Sequence, residues 1–393
     1  MKPLTGFEVL DFTREVSGPH CTQLLAGLGA DVIKIEPPGG ERPRSEWVDA
    51  FSSFNLGGKR SVSIDLKTDE GKRIAQQLAE RVDIVVENFR PGVLERFGLD
   101  YDAVAKQNAD VIYCSISGFG QDGPYRDFPA YDPIAQALSG VLASTGYPDR
   151  PPVRIGASFI DCGTAVHAAL FVMAAALERE QTGEGRYIDT SLFDTAVSWM
   201  AYRIAEYSRT GRVRERTGSG NDVTDRVYYA GDDKPFYVKA ITQQQYESMC
   251  HVIDRDDLIE DERFETDATR IENTDALEAE LKQSFAQFDR EQLVERLAQA
   301  SVPIGSVQDV GELVDQDPHV KARGMLTDSY NLAAEESLLT STLPFRTDKG
   351  SPELGGRPPE LGEHTFAVLS ELGYSDEKIH DLIETGVLDK KDE

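Results

Sequence analysis

Short apolar runs of strand length alternate with amphipathic runs of helical period through the first half of the chain. FEVLDF, near the start, predicts a buried strand, and Pro19 stands where a helix begins. CTQLLAGLGA follows as an amphipathic helix and DVIKIE as the next strand. A second unit runs from EGKRIAQQLAERV, opened by Asp69, into the strand DIVVENF; a third runs from YDAVAKQNA into DVIYCSISGFG. Repeated strand, helix, strand units predict an α/β fold with a parallel sheet covered by helices. Gly27 and Gly29 follow the first helix, so they read as a helix stop and not as a dinucleotide fingerprint. No GxxxxGK[ST] phosphate loop is present. The strand-to-helix turn is TREVSGP, whose backbone amides at the helix start suit a phosphate or carboxylate.

From Tyr131 the pattern turns helical, in DPIAQALSGVLAST and DCGTAVHAALFVMAAALERE. GRYIDTSL reads as a further strand and feeds a helix from about Phe193 to Arg209. TGRVRERTGSGNDVTD, Gly-rich and charged, reads as a linker. A smaller unit follows from about Val227 to Pro318, with VYYAGDDKPFYVKA as a hairpin and amphipathic helices after it. The Pro/Gly-rich SPELGGRPPELGEH precedes a last helix, TFAVLSELGY.

Length and charge narrow the class. A chain of 393 residues points to two or three domains, and 40% hydrophobic residues suffice to give them cores. The formal net charge of −28 excludes nucleic acid as a general partner. Acids are spread along well-patterned sequence, as in DRDDLIEDERFETDATRIENTDALEAE from Asp254, and only 14 of the 41 basic residues are lysine. Scattered acid with scarce lysine is a halophilic composition, because molar salt screens the mutual repulsion within about 3 Å. The longest apolar run, Ala165 to Leu177, is interrupted by His167 and is short of the roughly 20 residues that a membrane span needs. MKPLTGFEVLDFT holds no apolar signal core, so a cytoplasmic protein is expected. Cys21, Cys114, Cys162 and Cys250 form no CxxC pair, and the histidines form no HExxH; neither disulfides nor a metal site are expected. Cys21 and Cys114 read as core residues.

Asp161 is the residue with the most chemical promise. It follows PPVRIGASFI and immediately precedes an apolar helix, which makes it a candidate N-cap. A helix N-terminus favours the ionised carboxylate, and an ionised carboxylate is a nucleophile. Cys162 beside it has no assignable partner base.

LTGFEVLDFT, SGPHCTQLLAGLGADVIKIEPPGG, FNLGGKRSVSIDLKTDEG, DIVVENFRPGVLERFGL, YDPIAQALSG, IGASFIDCGTAVHAALFVMAAALERE and LGEHT, in this order, resemble the class III CoA-transferases almost end to end. The resemblance implies that Asp161 is the covalent nucleophile and that Tyr131 belongs to the active site. It places Val16 and Ser17 beside the thioester, and Ile64, Asp65, Leu66 and Lys67 at the nucleotide end of coenzyme A. Asn88, Phe89, Arg90 and Arg96 become further coenzyme contacts. It implies exchange through aspartyl anhydride and aspartyl-CoA thioester intermediates, with coenzyme A as substrate and no metal or permanent cofactor. It further implies a Rossmann-like large domain from residues 1–200 and a return segment 319–393. A linker at 201–226 and a small α+β domain at 227–318 complete the chain, within an interlocked homodimer.

Departures from the formyl-CoA branch bear on substrate. Val16 stands where that branch has glutamine, and Pro37 where it has a coenzyme-binding arginine, with Arg42 and Arg44 close by. Gly218 and Gly220 correspond weakly to a glycine-rich loop that covers the site. Together with the acidic composition, the pattern resembles the branch that uses succinyl-CoA and mesaconate in salt-loving archaea. A dicarboxylate acceptor needs an arginine for its second carboxylate, and Arg14, Arg42 and Arg44 are the candidates. The alternatives are an alpha-methylacyl-CoA racemase, whose site needs a histidine where Tyr131 stands, and an inactive CoA-binding protein.

Overall fold

A computed structural model describes residues 2–41, 57–331, 336–344, 346–348 and 357–389. The chain forms two compact units. The larger comprises Met1–Leu142, Arg154–Thr210 and Lys321–Glu393, and the smaller comprises Ala143–Val153 and Gly211–Val320.

The larger unit is built on six parallel strands: β1 (Glu8–Asp11), β2 (Asp31–Glu36), β3 (Arg60–Ile64), β4 (Ile84–Glu87), β5 (Ile112–Ser117) and β6 (Arg186–Ser191). Their order is β3-β2-β1-β4-β5-β6, the doubly wound arrangement. Helices α1 (Ser17–Gly27), α2 (Asp69–Ala79), α3 (Tyr101–Ala105), α4 (Asp132–Leu138), α5 (Phe159–Thr182), α6 (Leu192–Trp199) and α7 (Ala201–Thr210) belong to this unit. Successive strand residues point to opposite faces, so each strand feeds two cores. Leu10, Ile33, Val62 and Val85 pack on one face with Ile74 and Leu78 of α2 and with Val368, Ile379 and Leu382 near the C-terminus. Val9, Val32, Ile84 and Ile112 pack on the other with Cys21 and Leu25 of α1 and Ala165, Ala168 and Val172 of α5. Burial on both sides explains why these strands read as continuous apolar runs.

Local chemistry sets the helix ends. Thr68 accepts from the Gly71 amide at 3.0 Å to start α2. Gly183, at φ 73°, closes α5 in the left-handed conformation. The predicted helix from Phe193 to Arg209 is two, α6 and α7, which meet at Met200. Thus α7 occupies the first part of the stretch expected as a linker at 201–226. Helix α5 spans 24 residues, beginning and ending well beyond the apolar run, and is long and apolar enough by composition to cross a membrane. Its small residues face α1 and the sheet, while Val166, Leu170 and Phe171 on its other side are exposed.

In the smaller unit β7 (Gly220–Asp222), β8 (Asp225–Tyr229), β9 (Pro235–Lys239) and β10 (Ile304–Ser306) form an antiparallel sheet in the order β10-β9-β8-β7. Tyr228, Phe236 and Phe285 centre its core. Gly218 and Gly220 are close-packed in this unit: a Cβ at Gly218 would lie 2.5 Å from the Tyr147 ring, and one at Gly220 2.1 Å from the Asp225 carbonyl. Their lack of side chains therefore serves close approach and not loop mobility.

The chain then returns to the larger unit through the hairpin β11 (Leu326–Asn331) and β12 (Glu336–Ser341). Helices Thr365–Glu371 and Asp376–Glu384 follow, and β13 (Leu388–Asp389) pairs antiparallel with β3, Leu388 opposite Ile64. The sequence pattern does not announce β11, β12, β13 or the helix at Asp376.

Candidate active site

Strand order reverses between β1 and β4, since β1 pairs with β2 on one side and β4 on the other. Chains leaving two such strands diverge to opposite faces, and the crevice at their carboxyl ends is where open α/β sheets hold ligands. Here that crevice is formed by residues 12–17 after β1 and by Asn88, Phe89 and Arg90 after β4. Two hydrogen bonds tie the loops together: the Arg14 amide donates to Asn88 Oδ1 and Asn88 Nδ2 donates to the Arg14 carbonyl, both at 2.7 Å. The turn is tight. Glu15 has φ 64°, unusual for a residue with a side chain, and a Cβ on Gly18 would lie 2.3 Å from the Thr13 Cβ.

Below the turn lies a buried ionic cluster. Asp11 accepts from the Thr13 amide at 2.8 Å, from the Thr13 and Thr22 hydroxyls at 2.6 Å, and from Lys59 Nζ at 2.9 Å. Lys34 Nζ donates to Glu41 at 2.8 Å and also to the Thr13 carbonyl. Lys59 Nζ reaches the Pro19 carbonyl at 3.1 Å. Both ends of the turn, Thr13 and the start of α1, are thereby anchored to one set of charges.

Asp161 approaches this turn from α5. It is the third residue of the helix and not its cap, which is Ser158. The cap hydrogen bonds come from elsewhere: Asp132, at the start of α4, accepts from the Ile160 amide at 2.7 Å and the Asp161 amide at 3.1 Å. The other Asp132 oxygen accepts from Gln136 Nε2, and Gln136 Oε1 accepts from the Ile155 amide at 3.0 Å. Asp132 is 4% exposed. A buried carboxylate on a neighbouring helix thus does the work expected of Asp161, leaving the Asp161 side chain free to face the crevice. The helix N-terminus that favours an ionised Asp161 is opposed by the surroundings of the side chain. Burial, then the Asp132 charge, then Glu15 push its carboxyl up to about 7, against a lowering contribution from the Ser17 side chain. Burial and the neighbouring carboxylates likewise push the Cys162 thiol up, which leaves it a poor nucleophile. Trp199 covers the next residue: a Cβ at Gly163 would sit 1.9 Å from its ring.

Asp161 opens into a cavity of about 910 Å³. Of the residues implicated by sequence, Val16, Ser17, Asn88, Phe89, Arg90 and Tyr131 line it as well. Tyr131 is the N-cap residue of α4 and is 63% exposed. Ile64, Asp65, Leu66, Lys67 and Arg96 do not line it. Ile64 is buried at the end of β3, Asp65 receives the Lys67 amide at 2.9 Å, and Arg96 lies on a short 3-10 helix, Leu94–Phe97. The segment 64–67 nevertheless follows the carboxyl end of β3, on the same edge of the sheet as the crevice. Arg14 lines the cavity; Arg42 and Arg44 lie outside the described residues. Asp132, Arg126 and Arg154 line it without having been anticipated. Among the described residues, no cluster of His, Cys, Asp and Glu is arranged to hold a metal ion.

Comparison with known proteins gives the family. Residues 4–365 match CoA-transferase family III. The chain is 36% identical to succinyl-CoA:mesaconate CoA-transferase of Haloarcula hispanica over 389 residues, covering 95% of this chain and 97% of that one. It is 33% identical to succinyl-CoA–D-citramalate CoA-transferase of Chloroflexus aurantiacus, covering 94% of each. Among solved structures, a CAIB/BAIF family protein from Brucella suis superposes with a TM-score of 0.85 at 34% identity, covering 94% of this chain and 99% of that one. The chain belongs to CoA-transferase family III and is a CoA-transferase.

Proposed function

We propose that this enzyme moves coenzyme A from a donor acyl-CoA, succinyl-CoA, to a dicarboxylic acceptor such as mesaconate, with Asp161 as covalent nucleophile. The observation that carries the reading is the Asp161 carboxylate, set near the N-terminus of α5 and facing a cavity at the switch point of the sheet. The Haloarcula hispanica and Chloroflexus aurantiacus relatives are named for succinyl-CoA as donor, with two different dicarboxylic acceptors.

In this reading ionised Asp161 attacks the donor thioester carbonyl, and the CoA thiolate leaves as a mixed anhydride forms. The thiolate then attacks the aspartyl carbonyl of the anhydride, releasing the first acid and leaving an aspartyl-CoA thioester. The acceptor carboxylate attacks that thioester and expels the thiolate again, and the thiolate resolves the second anhydride at the acceptor carbonyl, which frees Asp161. Charges balance throughout, so the protein's task is to position groups, hold developing oxyanions and exclude water. The loop 12–17 suits the thioester end, and the stretch 88–90, with Arg90, suits a phosphate-bearing part of the coenzyme. The stretch from Ile64 to Lys67, farther along the same sheet edge, suits the nucleotide end, and Tyr131 borders the acyl site. A racemase reading lacks support: no histidine is found among the described residues that line the cavity. We also propose a homodimer. Val166, Leu170 and Phe171 of α5 and Tyr202 and Tyr207 of α7 are at least half exposed, apolar surface that a second copy of the chain would cover.

The test is chemical trapping. Incubation with succinyl-CoA, followed by hydroxylamine or borohydride and peptide mass analysis, is expected to mark the peptide containing Asp161. Asp161→Asn should lower exchange by at least roughly a thousandfold while CoA still binds. Turnover retained in that variant, or hydrogen–deuterium exchange at the alpha carbon of an acyl-CoA without acceptor acid, would overturn the proposal.

A further inference from the structure

We infer that Arg154 is the receptor for the second carboxylate of the acceptor acid, an assignment that rests on the dicarboxylate reading above. Four arginines line the cavity: Arg14, Arg90, Arg126 and Arg154. Two of them are engaged. The Arg14 guanidinium lies 3.8 Å from Glu41 and over the Phe89 ring, and Arg126 donates to the Gln121 carbonyl at 2.8 Å and to Asp127 at 3.0 Å. Arg90 and Arg154 make no ion pair with the described residues. A CoA thioester and a dicarboxylic acid bring two separate anionic groups to this cavity, phosphate and the spare carboxylate, and two guanidiniums are unclaimed.

Position divides them. Arg90 follows Asn88 and Phe89 at the end of β4 and also lines a second, small cavity with Glu87 and Tyr101, away from Asp161. Arg154 lies on the same short stretch of chain as Asp161, and Gly156, Ala157 and Ser158 between them also line the cavity with small side chains. An acid whose reacting carboxyl meets Asp161 can therefore lie along that stretch with its far end toward Arg154. The backbone there is fixed by the device that caps α5: Gln136, held by Asp132, takes the Ile155 amide at 3.0 Å. Arg154 and Asp161 are thus registered to each other through one buried network. A guanidinium fork suits a carboxylate, and it also compensates the charge of a dianion entering a wall that already holds Glu15, Asp132 and Asp161.

The test compares acceptors. CoA transfer from succinyl-CoA is measured to mesaconate and glutarate, and to matched monocarboxylates such as crotonate and butyrate, in wild type, Arg154→Gln, Arg154→Lys and Arg90→Gln. Arg154→Gln is expected to cut kcat/KM for dicarboxylates by roughly ten- to a hundredfold and to collapse the dicarboxylate-to-monocarboxylate ratio. Arg154→Lys should restore part of that ratio. Arg90→Gln should weaken CoA binding, read by calorimetry, and keep the ratio. If wild type shows no preference for dicarboxylates, the acceptor reading fails and this inference with it. If the preference survives in Arg154→Gln, or if that variant loses CoA affinity instead, the inference alone is overturned.

Discussion

Asp161 sits under opposed influences, and in the proposed reaction its protonation would set the pH range of the enzyme. Burial and the charges of Asp132 and Glu15 raise its carboxyl to about 7, while Ser17 works the other way. If Asp161 is the nucleophile as proposed, only its ionised form attacks, and kcat/KM should rise with pH along a limb centred near 7. Asp132→Asn removes a like charge and should move that limb to lower pH; Ser17→Ala removes a stabilising contact and should move it higher. A pH–rate series on the two variants checks the opposite signs, and shifts in the same direction would contradict the assignment. The same displacement has a stability side. The folded pKa lies above the unfolded one, so the unfolded chain loses its proton first and native stability falls as pH rises toward 7. Asp161→Asn should therefore unfold at higher denaturant than wild type above pH 7, with the difference vanishing in acid. The sequence marks Asp161 through its place before an apolar helix, but it cannot show that Asp132 supplies the cap. Asp132 precedes Asp161 by a whole connection, and its carboxylate reads locally as the opening of its own helix before Pro133.

At the level of elements, the strands are legible because both faces are buried, and the polar residues inside them mark the site. Asp11, Lys34 and Glu36 interrupt otherwise apolar strands, yet each is at most 1% exposed. A charge buried so deeply is tolerated only with partners. Burial drives the Asp11 carboxyl upward, but Lys59, Lys34 and the Thr13 and Thr22 hydroxyls outweigh it and hold the group below its usual range. What the pattern cannot reveal is the pairing. Lys59 lies just before β3, and only the sheet order sets it beside Asp11. Removing one member strands the rest: Lys59→Met should cost about 3–5 kcal/mol of unfolding free energy by denaturant titration. Asp11→Leu combined with Lys59→Met should recover part of it, because the uncompensated charge goes too. A single variant as stable as wild type would show that water reaches the cluster. Elements missed by periodicity fail for a related reason. β13 has two residues, and its place against β3 depends on the return of the chain.

The whole molecule carries a net charge of −28 while α5 and α7 leave apolar side chains at the surface. These features pull against each other in dilute buffer: like charges oppose association of two chains, and apolar faces favour it. At molar salt the Debye length falls to about 3 Å, the repulsion is screened, and salts that strengthen burial favour covering the faces. Fold and assembly should then depend on salt together. Sedimentation velocity in multimolar potassium chloride is expected to give twice the chain mass of 43.4 kDa. Stepwise dilution of the salt should dissociate the dimer and lower the unfolding temperature, and activity should follow the dimer. Leu170→Glu, on the exposed face of α5, should dissociate at higher salt than wild type because it would add charge to the apolar face proposed for the contact. Full activity and an unchanged melting temperature without added salt would remove the halophilic reading. A single-chain mass at every salt concentration would remove the dimer and require another explanation for the exposed face.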